Sequence, residues 1–202
     1  NNLTMKRRSF IKQLGQGASA FAIVPSFVLG KTHTPPSDLL YISCFGVGGR
    51  GSSVIDNLQQ TNKVRIVTLC DVDSVQAATT IQAFPNTNYY TDFRQVYDNH
   101  LNEIDAIMVA TPDHTHAPIA LPFMRARKHA YIEKPLTHSI YEARIMADTA
   151  EKENVVTQMG NQGVSGGGSA MIKQWIDQGD IGKINSVDCW TNRPVWPQGF
   201  PE

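Results

Sequence analysis

The sequence predicts an α/β protein built on a doubly wound parallel sheet. Three observations carry that prediction. Short apolar runs of strand length recur along the chain, helical patterns separate them, and a glycine-rich hexapeptide directly follows the first run. The runs at 39–45, 64–69, 104–110, 129–132 and 155–159 are apolar on both faces, as strands covered by helices on either side must be. The helical stretches at 51–60, 74–84, 93–99, 117–128 and 140–154 are long enough to serve as right-handed crossovers between parallel neighbours.

After Met159 the composition changes. A glycine-rich stretch at 161–169 opens a helix at 170–178, Gly179 ends it, and 184–190 reads as a further strand. We divide the chain into a leader at 1–30, a Thr/Pro/Ser linker at 31–38, a main domain at 39–160 and the start of a second α/β domain at 161–202, cut short by the end of the chain. The leader is read from Lys6-Arg7-Arg8-Ser9-Phe10-Ile11-Lys12 and the weakly apolar stretch 14–29, too short and polar to span a bilayer comfortably. That pattern is expected of a twin-arginine signal, which makes the export machinery a partner and the periplasm the location, with the protein free or anchored by an uncleaved signal.

Composition narrows the function. Of 202 residues, 41% are hydrophobic, enough for an ordinary globular core, and eighteen Lys plus Arg balance eighteen Asp plus Glu. A chain with no net charge lacks the basic field that draws nucleic acid, so nucleic acid is not expected as a partner. Cys44, Cys70 and Cys189 lack CxxC spacing and sit in apolar or strand-like contexts, which points to buried free thiols rather than a disulfide framework or zinc.

The chemistry gathers where strands end. Gly46-Val47-Gly48-Gly49-Arg50-Gly51 fits GxGxxG between the first strand and the following helix. Gly46 suits the tight turn, Gly48 a close approach of backbone to a pyrophosphate, and Gly51 close packing of helix on strand. Asp71, about 20 residues beyond Gly51 at the end of the second strand, is placed to accept from adenosine ribose hydroxyls, which favours NAD over NADP. Arg50 is the candidate counter-charge for a 2′-phosphate, and Asp71 could instead cap a helix. Ala110-Thr111-Pro112-Asp113-His114-Thr115-His116 follows the strand at 104–110. Thr111 and Pro112 would line the cofactor, and His114 and His116 would touch nicotinamide or substrate, or only bond the start of a helix. No further Cys or carboxylate cluster completes a metal site around the histidines, and none is expected. Glu133-Lys134-Pro135 ends the strand at 129–132, where Lys134 could bond a substrate hydroxyl and move its proton.

In order and combination these segments resemble the Gfo/Idh/MocA oxidoreductases: GVGGRG at 46–51, Asp71, ATPDHTHA at 110–117, EKPL at 133–136 and GNQG at 160–163. The resemblance implies a Rossmann domain joined to an α/β domain whose open antiparallel sheet closes the substrate pocket. It implies that Lys134 stands near substrate and nicotinamide, that Pro135 is cis, and that Glu133 lies near the cofactor. Asn161 and Gln162 would lie where the domains meet. Trp190, Arg193 and Trp196 would begin the substrate wall, although the tryptophans could equally be core. With His116 and Lys134 as the catalytic candidates, we expect hydride transfer between NAD(P) and a hydroxyl-bearing carbon of a sugar or cyclitol. A redox-neutral glycoside hydrolase or lyase with retained NAD is the alternative, and a non-catalytic ligand-binding protein a second. The family's catalytic histidine, often in Asp-x-x-x-His, falls beyond residue 202, so this stretch is expected to be inactive alone and to form a homo-oligomer when full length.

Overall fold

The computed structural model describes residues 38–190. The expected leader, nearly all of the linker, Arg193 and Trp196 lie outside them. The described residues fall into two compact units divided after Gly160.

The first unit is a six-stranded, all-parallel sheet in the order β3-β2-β1-β4-β5-β6. Its strands are β1 (Leu40–Phe45), β2 (Val64–Cys70), β3 (Asn88–Tyr90), β4 (Ala106–Val109), β5 (His129–Glu133) and β6 (Thr157–Gly160). The helices are α1 (Gly49–Gln60), α2 (Ala78–Ala83), α3 (Phe93–His100), α4 (His116–Arg125) and α5 (Ile140–Glu153). The chain winds outward from β1 to β3, returns to β4 and winds the other way, so the order reverses between β1 and β4. That reversal opens a crevice at the carboxyl ends of the strands.

Alternation along the central strands divides the core. Ile42, Cys44, Ala106 and Met108 face one layer with Val54, Ile55 and Leu69, while Phe45, Ile107 and Val109 face the other with Val96, Phe123, Met124 and Met146. Phe123 anchors the second layer, its ring centroid 5.2 Å from that of Phe45 and 5.3 Å from that of Tyr97. Two hydroxyls enter the sheet together, with Thr68 donating to Ser43 at 2.8 Å, because neither could be buried unpaired. Ser139 and Glu142 form a reciprocal capping box at the start of α5, and Asn154 ends that helix in the left-handed conformation at φ 53°.

The structure departs from the sequence reading in four places. The edge strand β3 has only three residues, Asn-Tyr-Tyr, and carries no apolar run to announce it. The helix expected over 74–84 begins at Ala78, because the Asp73 carboxylate takes the Val75 and Gln76 N–H groups and holds the chain in turns. Residues 184–190 form no strand, since a strand needs a ladder and none is available among the described residues. Cys44 and Cys70 are buried as expected, but Cys189 is exposed. It belongs to the second unit, whose helices α6 (Gln162–Ser165) and α7 (Gly167–Gln178) bury none of the described residues of that unit. No helix among the described residues is long and apolar enough to cross a membrane.

Candidate active site

A cleft of about 750 Å³ opens at the carboxyl ends of β1, β2 and β4, at the reversal of strand order. The glycine loop forms one wall. Gly46 has φ +73°, and a Cβ there would stand 2.6 Å from the Ala110 carbonyl and the Thr111 nitrogen. Only glycine allows β1 to turn this close to the end of β4. Gly48 lies beside Gln76, where a Cβ would come within 3.0 Å of its carbonyl. Thr80 holds the loop from behind by donating to the Val47 carbonyl at 2.8 Å.

The start of α1 carries no side-chain cap and no acidic residue in its first turn. The Gly51 N–H turns back to the Gly48 carbonyl at 2.9 Å, so the first turn offers a ligand the Gly49 and Arg50 N–H groups, and the helix dipole favours one bearing negative charge. A pyrophosphate meets both conditions.

Asp71 does more than line this cleft. Its Oδ2 accepts from the Val47 and Gly48 N–H groups at 2.8 and 3.1 Å, and its Oδ1 accepts from the Asp73 N–H at 3.0 Å. The carboxylate therefore braces the glycine loop from the end of β2. The Tyr89 hydroxyl donates to the Asp71 carbonyl at 2.6 Å, and its pKa is raised by burial first and by the Asp71 charge second. Asp73 lines the same cleft and was missed in the sequence; the Asp-Val-Asp spacing at the end of the strand was the available signal. Asp92 adds a third carboxylate to the lining. Arg94, the one Lys or Arg there, is spent on Asp92 at 3.2 Å and lies over the Phe93 ring at 4.9 Å. Such a wall suits ribose hydroxyls and repels a 2′-phosphate.

Arg50 does not supply that phosphate with a counter-charge. Its Nε and Nη2 each lie 3.1 Å from Glu133 Oε1, at the end of β5. Strand order puts β5 on the opposite side of β1 from Asp71, so this side chain is turned away from the ribose wall.

Thr111, Pro112 and His114 line the cleft as expected. His116 does not. It is 1% exposed, and its Nδ1 and Nε2 lie 2.7 Å from the Pro135 carbonyl and 2.8 Å from the Thr111 carbonyl. With both nitrogens occupied by backbone, the ring is a brace between two carboxyl-edge loops and not the catalytic group expected of it. Lys134 is exposed at the end of β5, joined to Pro135 by a cis peptide bond, and is not among the residues lining the cleft. Two residues to which the sequence reading gave no role meet here: Tyr131, whose hydroxyl donates to Glu133 Oε1 at 3.1 Å, and Gly160 of the GNQG motif, register partner of Glu133.

Asn161 and Gln162 open the second unit. The Asn161 carbonyl accepts from Val164 and Ser165, and Gln162 begins α6. Trp190 is 87% exposed. No group of three or more His, Cys, Asp and Glu suited to a metal ion occurs among the described residues.

Comparison with known proteins agrees with this geometry. The chain is 30% identical to a glycosyl hydrolase family 109 protein of Shewanella pealeana, over 90% of the chain and 45% of that protein. It is 27% identical to an alpha-N-acetylgalactosaminidase of Shewanella oneidensis, over 88% of the chain and 44% of that protein. The chain thus spans less than half the length of these curated relatives. Among solved structures, myo-inositol 2-dehydrogenase from Lactobacillus plantarum superposes with a TM-score of 0.65 at 27% identity, over 72% of this chain and 43% of that one. Residues 41–161 match the family described as an oxidoreductase family with an NAD-binding Rossmann fold. The chain belongs to the Gfo/Idh/MocA oxidoreductase family, and its first unit is the family's NAD-binding Rossmann domain.

Proposed function

We propose that the whole protein transfers hydride between NAD and a hydroxyl-bearing carbon of a sugar or cyclitol, with Lys134 as the catalytic residue that moves the hydroxyl proton. The observation that carries this reading is the position of Lys134. It stands at the carboxyl end of β5, next to β4, whose following loop supplies Thr111 and Pro112 to the cleft. NAD, when bound, supplies the hydride acceptor at its nicotinamide ring. The first turn of α1 holds the phosphates, Asp71 and Asp73 take the adenosine ribose, and Thr111, Pro112 and His114 line the path from there towards Lys134. As the neutral amine, the Lys134 side chain would accept the hydroxyl proton as the carbon is oxidised, and as the ammonium it would return that proton as the carbonyl is reduced. Residues 161–202 would begin the substrate domain, with Asn161 and Gln162 at the junction and Trp190, Arg193 and Trp196 in the substrate wall.

A second reading is redox-neutral cleavage of a glycosidic bond with NAD retained and regenerated within one turnover. What favours it is the names of the relatives, a glycosyl hydrolase family 109 protein and an alpha-N-acetylgalactosaminidase. The twin-arginine pattern at 6–12 also favours it, because export of a folded protein with its cofactor suits an enzyme that never exchanges that cofactor. On both readings we propose a periplasmic, homo-oligomeric enzyme.

The test begins with full-length protein purified without added nucleotide, denatured, and assayed for released NAD(H). Substrate is then supplied. Accumulating NADH supports the dehydrogenase, glycoside cleavage without net NADH supports the redox-neutral enzyme, and failure to bind NAD at all would leave a non-catalytic ligand-binding protein.

A further inference from the structure

Glu133 is a carboxylate whose side chain is only 5% exposed. Burying it is costly unless it is paired, and its Oε1 collects the partners: Arg50 Nε and Nη2, each at 3.1 Å, and the Tyr131 hydroxyl at 3.1 Å. Gly160 makes room for this cluster from the neighbouring strand. A Cβ on Gly160 would stand 2.5 Å from Glu133 Oε1 and 2.6 Å from the Tyr131 hydroxyl. Arg50 reaches it from 83 residues away in sequence, from the first turn of α1. One ion pair therefore joins the turn that faces the phosphates to the residue immediately before Lys134.

The Arg50 guanidinium is turned to Glu133, on the far side of β1 from the ribose wall. We propose that Arg50 is a positioning residue: through Glu133 it sets where the end of β5, and with it Lys134, stands relative to the glycine loop. This rests on the assignment of Lys134 as the proton-moving group.

The experiment uses the full-length, NAD-loaded protein with Arg50→Gln, Glu133→Gln, the double variant and Arg50→Lys. Each single Gln variant is expected to lower kcat about tenfold to 10²-fold, the scale of a misplaced catalytic group, while the NAD dissociation constant moves less than about threefold. The double variant should be no slower than the worse single, because both act through one bond. Arg50→Lys should recover part of the loss, since it keeps the charge but not the guanidinium donors.

A readout independent of turnover is the ultraviolet titration of Tyr131, taken as the difference from Tyr131→Phe. Burial first, then the bond to Glu133, raise this phenol, and Arg50 lowers it. Arg50→Gln should therefore shift the titration to higher pH and Glu133→Gln to lower pH. Additive kcat losses would overturn the proposal. So would an Arg50→Gln variant that binds NAD more than tenfold more weakly at unchanged kcat, or a Tyr131 titration that neither substitution moves. Unchanged kcat in Lys134→Met would instead defeat the assignment of Lys134, and with it what Arg50 is said to position.

Discussion

The two halves of the carboxyl edge handle charge in opposite ways. On the side of β1 and β2, Asp71, Asp73 and Asp92 are set around an open cleft, and the Asp71 carboxylate is held by backbone N–H groups. On the side of β4 and β5, Glu133 and His116 are almost fully buried, and their partners are a guanidinium, a phenol and two carbonyls. The first half is built to receive hydroxyls and phosphates. The second is braced internally, which fixes the end of β5 and leaves Lys134 as its exposed group. Binding and positioning are thus separated in space on one sheet edge, and substitutions on the two sides should fail differently.

The largest effect is expected at Lys134. Lys134→Met should cut kcat by about 10²- to 10⁴-fold with little change in NAD affinity, the range for a lost proton-transfer group. Steady-state kinetics with separate NAD titration checks it, and a loss confined to NAD affinity would erase the distinction between the two sides. Next comes Gly160→Ala. The added methyl meets Glu133 and Tyr131 at 2.5 and 2.6 Å and should cost about 1–3 kcal/mol, read as a lower midpoint in urea unfolding. Asp71→Asn belongs to the other side. Losing the charge from the bonds to Val47 and Gly48 should cost about 1.5 kcal/mol or more and weaken NAD binding at least about tenfold, with kcat at saturating NAD nearly unchanged. Titration calorimetry against steady-state kinetics makes the comparison.

The smallest expected effect is a pH slope from the core beneath the cleft. Burial, and then the charges of Asp71 and Asp92, push the Cys70 thiol up to about 12 from an ordinary value near 9. A group whose folded pKa is raised contributes stability that is present below its unfolded pKa. That contribution falls as pH rises from about 9 towards about 12. Cys70→Ala should flatten this part of the stability profile in chemical denaturation, and an unchanged slope would show that Cys70 is not its source.

Much of this architecture was legible in the sequence. Unbroken apolar runs of strand length, alternating with helical patterns, read as strands covered on both faces, and glycines at 46 and 51 are needed where β1, α1 and the end of β4 crowd together, so the doubly wound sheet and its phosphate-facing turn follow from local rules. The edge strand β3 was illegible because it is short and half exposed, with no periodicity to read. The candidate site was legible as a set of residues and not as a set of roles. Arg50 looks like a phosphate ligand from its place in the loop, and His116 like a catalytic group from its place after β4. Their partners lie 83 and 19 residues away, brought within reach only when β5 takes its position beside β4. By itself, then, the sequence determined the sheet, the glycine turn and which side chains reach the carboxyl edge, because periodicity and backbone sterics act over a few residues. The tertiary structure decided which of those side chains face a ligand and which are spent holding the edge together, because burial forces each polar group onto whichever partner the fold delivers.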